Sequence, residues 1–206
     1  MELLLGTRSV HKVQEIKTIL SGVPHLEVLG LDDVGLPWCD EEETLEPFDT
    51  FEENARSKAE YFYARTGLPT VADDSGLEVD ALGGEPGVRS KRFAPVEGLK
   101  GDRLDQENNN YLVECLAGLE LEKRTAQYVC VVVLLGLTSQ MIVTRGEAKG
   151  LILAEPRGEG GFGYDPYFFR PDLEMTFAEV HPDQKNELSH RGQAFRTLTG
   201  VLERMS

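Results

Sequence analysis

The sequence contains few cysteines and no long apolar segment. Its three cysteines, Cys39, Cys115 and Cys130, are far apart, and no pair has the two-residue spacing of a zinc or redox motif. We therefore expect free thiols, with Cys130 in the core because it lies within an apolar run. That run, Tyr128–Leu137, is the longest in the chain and is about half of the ~20 residues that a transmembrane helix needs.

Basic residues are also scarce. The 21 Lys and Arg are outnumbered by 36 Asp and Glu, which gives a net charge of −15. This balance argues against a broad nucleic-acid-binding face and against docking on an anionic membrane. An anionic substrate is still compatible with it, but needs a local cluster of bases, a metal ion or both. Residues 1–9 have neither a basic start nor a long apolar stretch, so we expect no secretory signal and a cytoplasmic protein.

The chain contains no repeat, low-complexity tract or long linker, so we expect a single domain over residues 1–206. Apolar periodicity and capping signals predict helices: Val10–Leu20, Thr50 to about Arg65, Leu104–Leu119 and Ser189–Met205. Short apolar runs predict strands: Glu2–Leu5, Leu26–Leu31, Thr70–Ala72, Tyr128–Leu137, Gln140–Thr144 and Glu147–Leu153. Because helices and strands mix without strict alternation, the predicted fold class is α/β with a mixed sheet.

Two polar stretches directly follow predicted strands. Gly6–Lys12 (GTRSVHK) brings hydroxyl groups and a lysine to a helix start, where free amides favour phosphate. Ala72–Gly76 (ADDSG) places two carboxylates after an apolar strand, which is costly unless they are paired, hydrogen-bonded or metal-bound. Adjacent strand residues point to opposite faces, so Asp73 and Asp74 should have different roles. The alternatives are an ordinary turn with an exposed lysine and an Asx turn that ends the strand.

A glycine-rich stretch, Arg157–Pro166 (RGEGGFGYDP), interleaves four glycines with two aromatic rings. Glycine allows the backbone to approach a ligand closely and to adopt positive φ. The rings of Phe162 and Tyr164 suit stacking on a flat base, and Asp165 suits accepting hydrogen bonds from one. The alternative is a flexible hairpin loop, which has little use for two aromatic residues.

A basic stretch, Lys185–Gly192 (KNELSHRG), concentrates Lys, His and Arg within an acidic chain. With Ser189 as N-cap, His190 and Arg191 would begin the last helix, where Arg and backbone amides suit a carbonyl or phosphate oxygen. The alternative is a solvated helix terminus. Together, the four stretches indicate a magnesium-dependent enzyme that acts on a nucleotide.

Several of these blocks resemble one known family. The blocks are Phe51–Phe62 (FEENARSKAEYF), Asp73–Ala94 (DDSGLEVDALGGEPGVRSKRFA), Gly158–Phe169 (GEGGFGYDPYFF) and Lys185–Phe195 (KNELSHRGQAF). They resemble the noncanonical purine nucleoside triphosphate pyrophosphatases, the inosine/xanthosine triphosphate diphosphatases of the HAM1 or RdgB type. The matches run in family order from residue 7 to residue 195, so the resemblance covers nearly the whole chain.

The resemblance implies a fold, an activity and an assembly. The fold is a single HAM1-type α/β domain, elongated and two-lobed, with a long mixed β-sheet and a substrate cleft between the lobes. The activity is Mg²⁺-dependent hydrolysis of the α–β phosphate bond of ITP, dITP and XTP to the monophosphate and pyrophosphate. This reaction cleanses the nucleotide pool of deaminated purines. Family members are usually homodimers.

The resemblance also implies roles for individual residues. Asp74 is the expected general base and, with Glu46, the expected metal ligand. The expected phosphate contacts are Thr7, Arg8, Ser9, Lys12 and Lys58, with Ser75 as a further substrate contact. The expected base contacts are Phe162, Gly163, Tyr164, Asp165, Lys185, His190 and Arg191. Donors such as Arg191 suit the 6-oxo group of hypoxanthine and xanthine and leave an adenine amino group unpaired.

The chain departs from the family pattern in two of these places. The usual T-G-N-x-x-K block is Thr7–Lys12 here, with Arg8 in place of Gly and Ser9 in place of Asn. Arg8 either adds charge to the phosphate site or points to solvent. Ungapped counting gives Glu46 as the second metal ligand, whereas Glu43 would need a gap.

Two other functions compete with this hypothesis. A Maf-like nucleotide pyrophosphatase that acts on pyrimidine triphosphates has a similar fold, but its motifs are not found in this sequence. A nucleotide sensor that binds without turnover is disfavoured by the intact Asp73–Asp74 pair.

Overall fold

A computed structural model describes residues 1–204 of the chain. The helices are α1 (Val10–Leu20), α2 (Phe51–Thr66), α3 (Asp102–Cys115), α4 (Pro182–Leu188) and α5 (His190–Glu203). The strands are β1 (Glu2–Leu5), β2 (Glu27–Leu29), β3 (Thr70–Val79), β4 (Thr125–Leu135), β5 (Ile142–Ile152), β6 (Phe168–Arg170) and β7 (Met175–Thr176). Short 3-10 segments lie at Asp40–Thr44, Asp80–Leu82, Gly87–Arg92 and Leu121–Lys123. Met205, which the sequence places on the last helix, lies outside the described residues.

The strands form one seven-stranded sheet in the order β2-β1-β3-β4-β5-β6-β7. β1 pairs in parallel with β2 and with β3, so that Leu4 lies opposite Thr70 and Leu5 opposite Val71. β6 pairs antiparallel with both β5 and β7. This confirms the predicted α/β class with a long mixed sheet.

Local signals account for the first two helices. The Ser9 side chain accepts a hydrogen bond from the Lys12 amide at the start of α1, and the Thr50 side chain caps α2 in the same way. Gly67 ends α2 with a left-handed φ of 68°, as glycine at this position commonly does. Of the helices described between residues 1 and 204, none is both long enough and apolar enough to cross a bilayer.

Some predicted boundaries are wrong. β3 continues past Ala72 to Val79, so the DDSG residues lie inside the strand rather than in a turn, because side chains from neighbouring helices satisfy them. The strands predicted at Gln140–Thr144 and Glu147–Leu153 are one strand, β5, which passes through Gly146 without a turn. Helix α4 was not among the predicted helices.

The chain divides into two compact units. The first comprises Met1–Ser75, Cys130–Gly146 and the described residues from His190 onward. Its strands alternate between two apolar layers. One layer joins sheet residues to α1 and α5, with Leu3, Leu5, Val71, Cys130, Val132, Ile16, Leu20, Phe195, Leu198 and Leu202. The other joins sheet residues to α2, with Ala72 and Val133 against Ala55 and Ala59, and Leu4 against Phe62.

The second unit comprises Gly76–Val129 and Glu147–Ser189 and has an aromatic core. The ring centroid of Phe168 lies 4.6 Å from that of Tyr128 and 5.0 Å from that of Phe177. Leu112 and Leu116, from the end of α3 and just after it, are fully buried in the same cluster. Helix α3 is therefore fixed to the strands that border the glycine-rich loop.

Candidate functional site

The first polar stretch forms a capped helix start. The Ser9 amide donates to Thr7 Oγ1 at 3.2 Å, and the Lys12 amide donates to Ser9 Oγ at 3.4 Å. The side chain of Lys12 extends to β3, where Nζ donates to Asp73 Oδ2 at 3.0 Å. The amides at the start of α1 and a lysine thus lie beside the aspartate pair.

Arg8 contacts the segment that follows β2, residues 36–46, which we call the acidic segment. Its Nε and Nη2 donate to the two carboxylate oxygens of Glu42 at 2.9 and 2.8 Å. Its Nη1 and Nη2 also donate to the carbonyls of Leu36 and Pro37 at 2.9 and 3.0 Å. A bidentate pair with two further backbone contacts fixes the side chain, so Arg8 does not simply point to solvent.

Asp73 is a buried carboxylate surrounded by cations. Its side chain is 1% exposed, accepts from Ser75 Oγ at 2.6 Å, and has Arg191 Nε at 3.5 Å in addition to Lys12. Burial favours a higher pKa for Asp73, but the charges of Lys12, Arg191 and Lys58 outweigh it, and this pKa lies well below its usual range. Asp73 is therefore charged at neutral pH and acts as a counterion for these basic side chains.

Asp74 contacts side chains of α2, on the other face of the sheet from Asp73. Asn54 Nδ2 donates to Asp74 Oδ2 at 3.0 Å, and Lys58 Nζ lies 3.8 Å from Oδ1 while it also bonds Glu46. Burial raises the pKa of Asp74; Lys58 opposes this shift and Glu46 reinforces it, and the pKa lies above its usual value. The two aspartates thus contact different helices, as the alternation of a strand predicts.

The residues that could hold a divalent cation are Glu46 and Asp74, which both pair with the Lys58 ammonium group. Glu43 is exposed, in the 3-10 segment that precedes them. Among residues 1–204, no three or more His, Cys, Asp and Glu side chains are grouped to hold a metal. Mg²⁺ at nucleotide sites commonly uses one or two carboxylates together with substrate phosphates and waters. The Glu46–Asp74 pair fits that donor set.

Helix α5 begins with two buried basic residues. His190 is 5% and Arg191 is 3% exposed. Arg191 Nη1 donates to Glu15 at 2.6 Å, and Nη2 donates to Ser75 Oγ at 3.2 Å. Burial favours a lower pKa for Arg191, but Asp73 and Glu15 raise it above its usual range. The start of α5 is thereby tied to both β3 and α1.

The glycine-rich loop and Lys185 come together in the second unit. Lys185 Nζ donates to Asp165 Oδ2 at 2.7 Å and lies 5.0 Å from the centroid of the Phe162 ring. The Phe162 amide donates to the same Asp165 oxygen at 2.8 Å. Tyr164 is buried in the core, and its hydroxyl donates to the Ser90 carbonyl at 2.7 Å. Of the two aromatic rings, Phe162 is the one that stays half-buried.

Several helix residues that were not predicted as site residues support these side chains. Asn54 supports Asp74, Glu15 supports Arg191, and both Asp105 and Asn109 bond the Gly163 backbone. Their partners are distant in sequence, so no local spacing reveals them. For Asn54 a signal was available, because it belongs to the Phe51–Phe62 block that carries the family resemblance.

Fold and site together define an α/β protein with a carboxylate–lysine centre of the kind that handles phosphorylated ligands. More narrowly, the chain belongs to the Ham1 family, whose model matches residues 3–201. A Thioalkalivibrio sulfidiphilus protein named dITP/XTP pyrophosphatase is 42% identical over 207 residues, covering 100% of this chain and 98% of that protein. A Thermus thermophilus protein of the same name is 44% identical over 198 residues, covering 96% and 90%.

Solved structures agree with this membership. The structure of a HAM1 protein from Coxiella burnetii matches with a TM-score of 0.84 at 34% identity and covers 99% of both chains. The Staphylococcus aureus Ham1 protein matches with a TM-score of 0.83 at 34% identity and covers 100% of both chains. The predicted family and fold class are confirmed.

Proposed function

We propose that this chain hydrolyses the α–β phosphate bond of ITP, dITP and XTP and releases the nucleoside monophosphate and pyrophosphate. The observation that carries the proposal is Asp74, a buried carboxylate with a raised pKa beside Lys58 and Glu46. The name dITP/XTP pyrophosphatase, given to relatives that match over their full length, supports the substrate class.

Asp74 is the proposed general base, which accepts the proton of the attacking water. Asn54 and the Ser75 amide donate to different oxygens of its carboxylate, at 3.0 Å each, and so fix its plane. A carboxylate held in one plane in this way is oriented to accept a proton from a water molecule beside it. Proton transfer to Asp74 accompanies in-line attack on the α-phosphorus, with pyrophosphate as the leaving group.

Lys12, Lys58, Ser75 and the start of α1 at Thr7 and Ser9 are the proposed phosphate contacts. An ammonium group has three donors, so Lys12 can keep its bond to Asp73 and still donate to a phosphate oxygen. Because the Arg8 guanidinium is engaged by Glu42 and two carbonyls, we assign Arg8 to holding the acidic segment rather than to phosphate.

Glu46 and Asp74 are the proposed Mg²⁺ ligands. A bound Mg²⁺ neutralises phosphate charge and so lowers the cost of attack on a polyanion. Lys58, already paired with both carboxylates, contributes positive charge at the same place. Replacement of Glu46 by Gln should raise the Mg²⁺ concentration needed for half-maximal rate.

The purine contacts are proposed on Phe162–Asp165, Lys185, His190 and Arg191. Phe162 supplies the stacking ring, whereas the buried Tyr164 anchors the loop through Ser90. Donors such as Arg191 suit an oxygen at C6 and leave an amino group there unpaired, which disfavours ATP. We further propose that the chain is cytoplasmic and that it forms a homodimer. Sedimentation equilibrium of the purified chain would test the homodimer.

Product analysis is the test of the activity. The chain is incubated with Mg²⁺ and ITP, XTP, GTP, ATP or dTTP in parallel, and orthophosphate is separated from pyrophosphate. Pyrophosphate with IMP or XMP, and much slower turnover of GTP and ATP, is expected. Pyrophosphate from dTTP would instead favour the Maf-like alternative, and tight ITP binding without turnover would favour a sensor.

A further inference from the structure

We propose that Asp105 and Asn109 of α3 are positioning residues that orient the Gly163 peptide and thereby set the purine selectivity of the glycine-rich loop. The inference rests on the proposed function, because it takes residues 162–165 as purine contacts. Neither residue is expected to touch the substrate itself.

Both polar backbone atoms of Gly163 are bonded to one helix. The Gly163 amide donates to Asp105 Oδ2 at 3.1 Å, and Asn109 Nδ2 donates to the Gly163 carbonyl at 2.9 Å. Asp105 and Asn109 are four residues apart, so they lie on the same face of α3. Two bonds from one rigid helix fix the rotation of this residue about its own backbone, which a single bond would not do.

Gly163 lies between the buried Tyr164 and the half-buried Phe162. Its φ is 62°, a left-handed value that glycine adopts without strain, and an added Cβ would meet nothing within 4 Å. On its carboxyl side, Tyr164 is fixed in the core and bonded to Ser90. A change in the Gly163 torsions would therefore weaken the bond between the Phe162 amide and Asp165 and displace Phe162, the proposed stacking ring.

Helix α3 carries three consecutive asparagines, Asn108, Asn109 and Asn110, and they make different contacts. Asn109 is 5% exposed, and its Nδ2 also donates to the Asp105 carbonyl at 2.9 Å, which fixes the orientation of the amide. Asn108 accepts hydrogen bonds from the amides of residues 93–94 and so supports a different segment. Asn110 is exposed. The chain thus offers a matched control beside the residue of interest.

The test compares Asn109→Asp with Asn110→Asp in the full chain. Asn109→Asp keeps the side-chain shape but replaces the donor by an oxygen that faces two carbonyls. We expect the KM for ITP to rise about tenfold, the preference for ITP over GTP to fall, and kcat to change little. Hydrogen exchange of the peptide covering residues 158–166 should become faster. Asn110→Asp should change none of these quantities.

Asp105 provides a second pair of variants if Asn109→Asp folds poorly. Asp105→Asn keeps an acceptor for the Gly163 amide and should behave like wild type, whereas Asp105→Ala should reproduce the loss. Faster loop exchange with unchanged KM and unchanged preference would overturn the proposal, as would equal effects of Asn109→Asp and Asn110→Asp. Absence of ITP hydrolysis in the wild type would instead overturn the proposed function, and the exchange data would still decide whether α3 orders the loop.

Discussion

Asp73 and Asp74 are neighbours in β3 whose carboxyl groups experience opposite environments. The pKa of Asp73 is lowered because Lys12, Arg191 and Lys58 outweigh the effect of burial, whereas the pKa of Asp74 is raised mainly by burial. A lowered pKa means that folding favours the charged form, and a raised pKa means that folding disfavours it. The same substitution should therefore have opposite consequences at the two positions.

Asp73→Asn is expected to lower the free energy of unfolding by ~3 kcal/mol, because it removes a buried carboxylate that pairs with the half-buried Lys12 and the buried Arg191. The difference in free energy of unfolding between variant and wild type should have its full size above the unfolded pKa of Asp, ~3.9. It should shrink as the pH falls toward and through the lower folded pKa of Asp73. Asp74→Asn should keep or slightly raise stability while it slows ITP turnover ~100-fold or more. Urea unfolding at several pH values and a pyrophosphate assay measure both effects. Equal destabilisation by the two variants would contradict this account.

Arg8 and Lys12 both belong to the first polar stretch, but we assign Arg8 to holding the acidic segment and Lys12 to binding phosphate. Arg8→Lys keeps the charge but loses the bidentate geometry toward Glu42, so hydrogen exchange should become faster in residues 32–46 while the KM for ITP changes little. Lys12→Ala should raise that KM by ~10-fold or more, because a charged phosphate contact is lost. An Arg8→Lys variant with a KM as high as that of Lys12→Ala would show that Arg8 binds phosphate after all.

Gly146 is the point at which β5 meets the start of α5. A Cβ at this position would lie 2.6 Å from the Ala194 amide nitrogen and closer still to the His190 carbonyl, so the helix start must move to accept it. Gly146→Ala is expected to lower the free energy of unfolding by ~1–3 kcal/mol. It should also slow ITP turnover, because the displaced helix start carries Arg191. Thermal unfolding and the pyrophosphate assay test both.

Gly22→Ala is the control for this prediction, because a Cβ there would meet nothing within 4 Å. It should preserve both stability and turnover. A Gly146→Ala protein that matched Gly22→Ala in both measurements would show that the approach of α5 to β5 is looser than the structure indicates.

The sequence predicts elements well where their causes are local. α1 and α2 depend on caps and apolar spacing within their own residues, and their predicted starts agree with the structure. β3 and β5 were misjudged because Asp, Ser and Gly usually indicate turns, whereas here contacts from other elements stabilise them within strands. The motifs predict Asp74 and Lys185 as site residues, whereas the contacts of Asn54 and Asn109 are tertiary and spacing does not reveal them.

Each compact unit is assembled from separate segments of the chain. α5 returns at the end of the sequence to complete the first unit, where Phe195, Leu198 and Leu202 are fully buried against residues of β1 and α1. Each such side chain contributes about 2 kcal/mol. Their sum rivals the whole stability of a domain, ~5–15 kcal/mol.

A chain that ends at Ser189 should therefore lose cooperative unfolding, because the apolar surface of β1 and α1 would be left uncovered. A chain that ends at Arg204 should unfold as the full chain does. Circular dichroism during heating distinguishes the two. A cooperative transition at an unchanged midpoint in the shorter chain would contradict the assignment of α5 to the first core.

The parallel pairing of β1 with β3 also limits where insertions and deletions can occur in this part of the chain during evolution. Side chains alternate along β3, so inserting or deleting one residue between Thr70 and Asp73 would exchange the faces of the two aspartates. The counterion would then face α2, and the proposed base would face α1 and α5. Changes of length are compatible with the centre in the loop before Thr70, where they are absorbed outside the sheet. Within those few residues of β3, the count of residues is as strictly constrained as their identity.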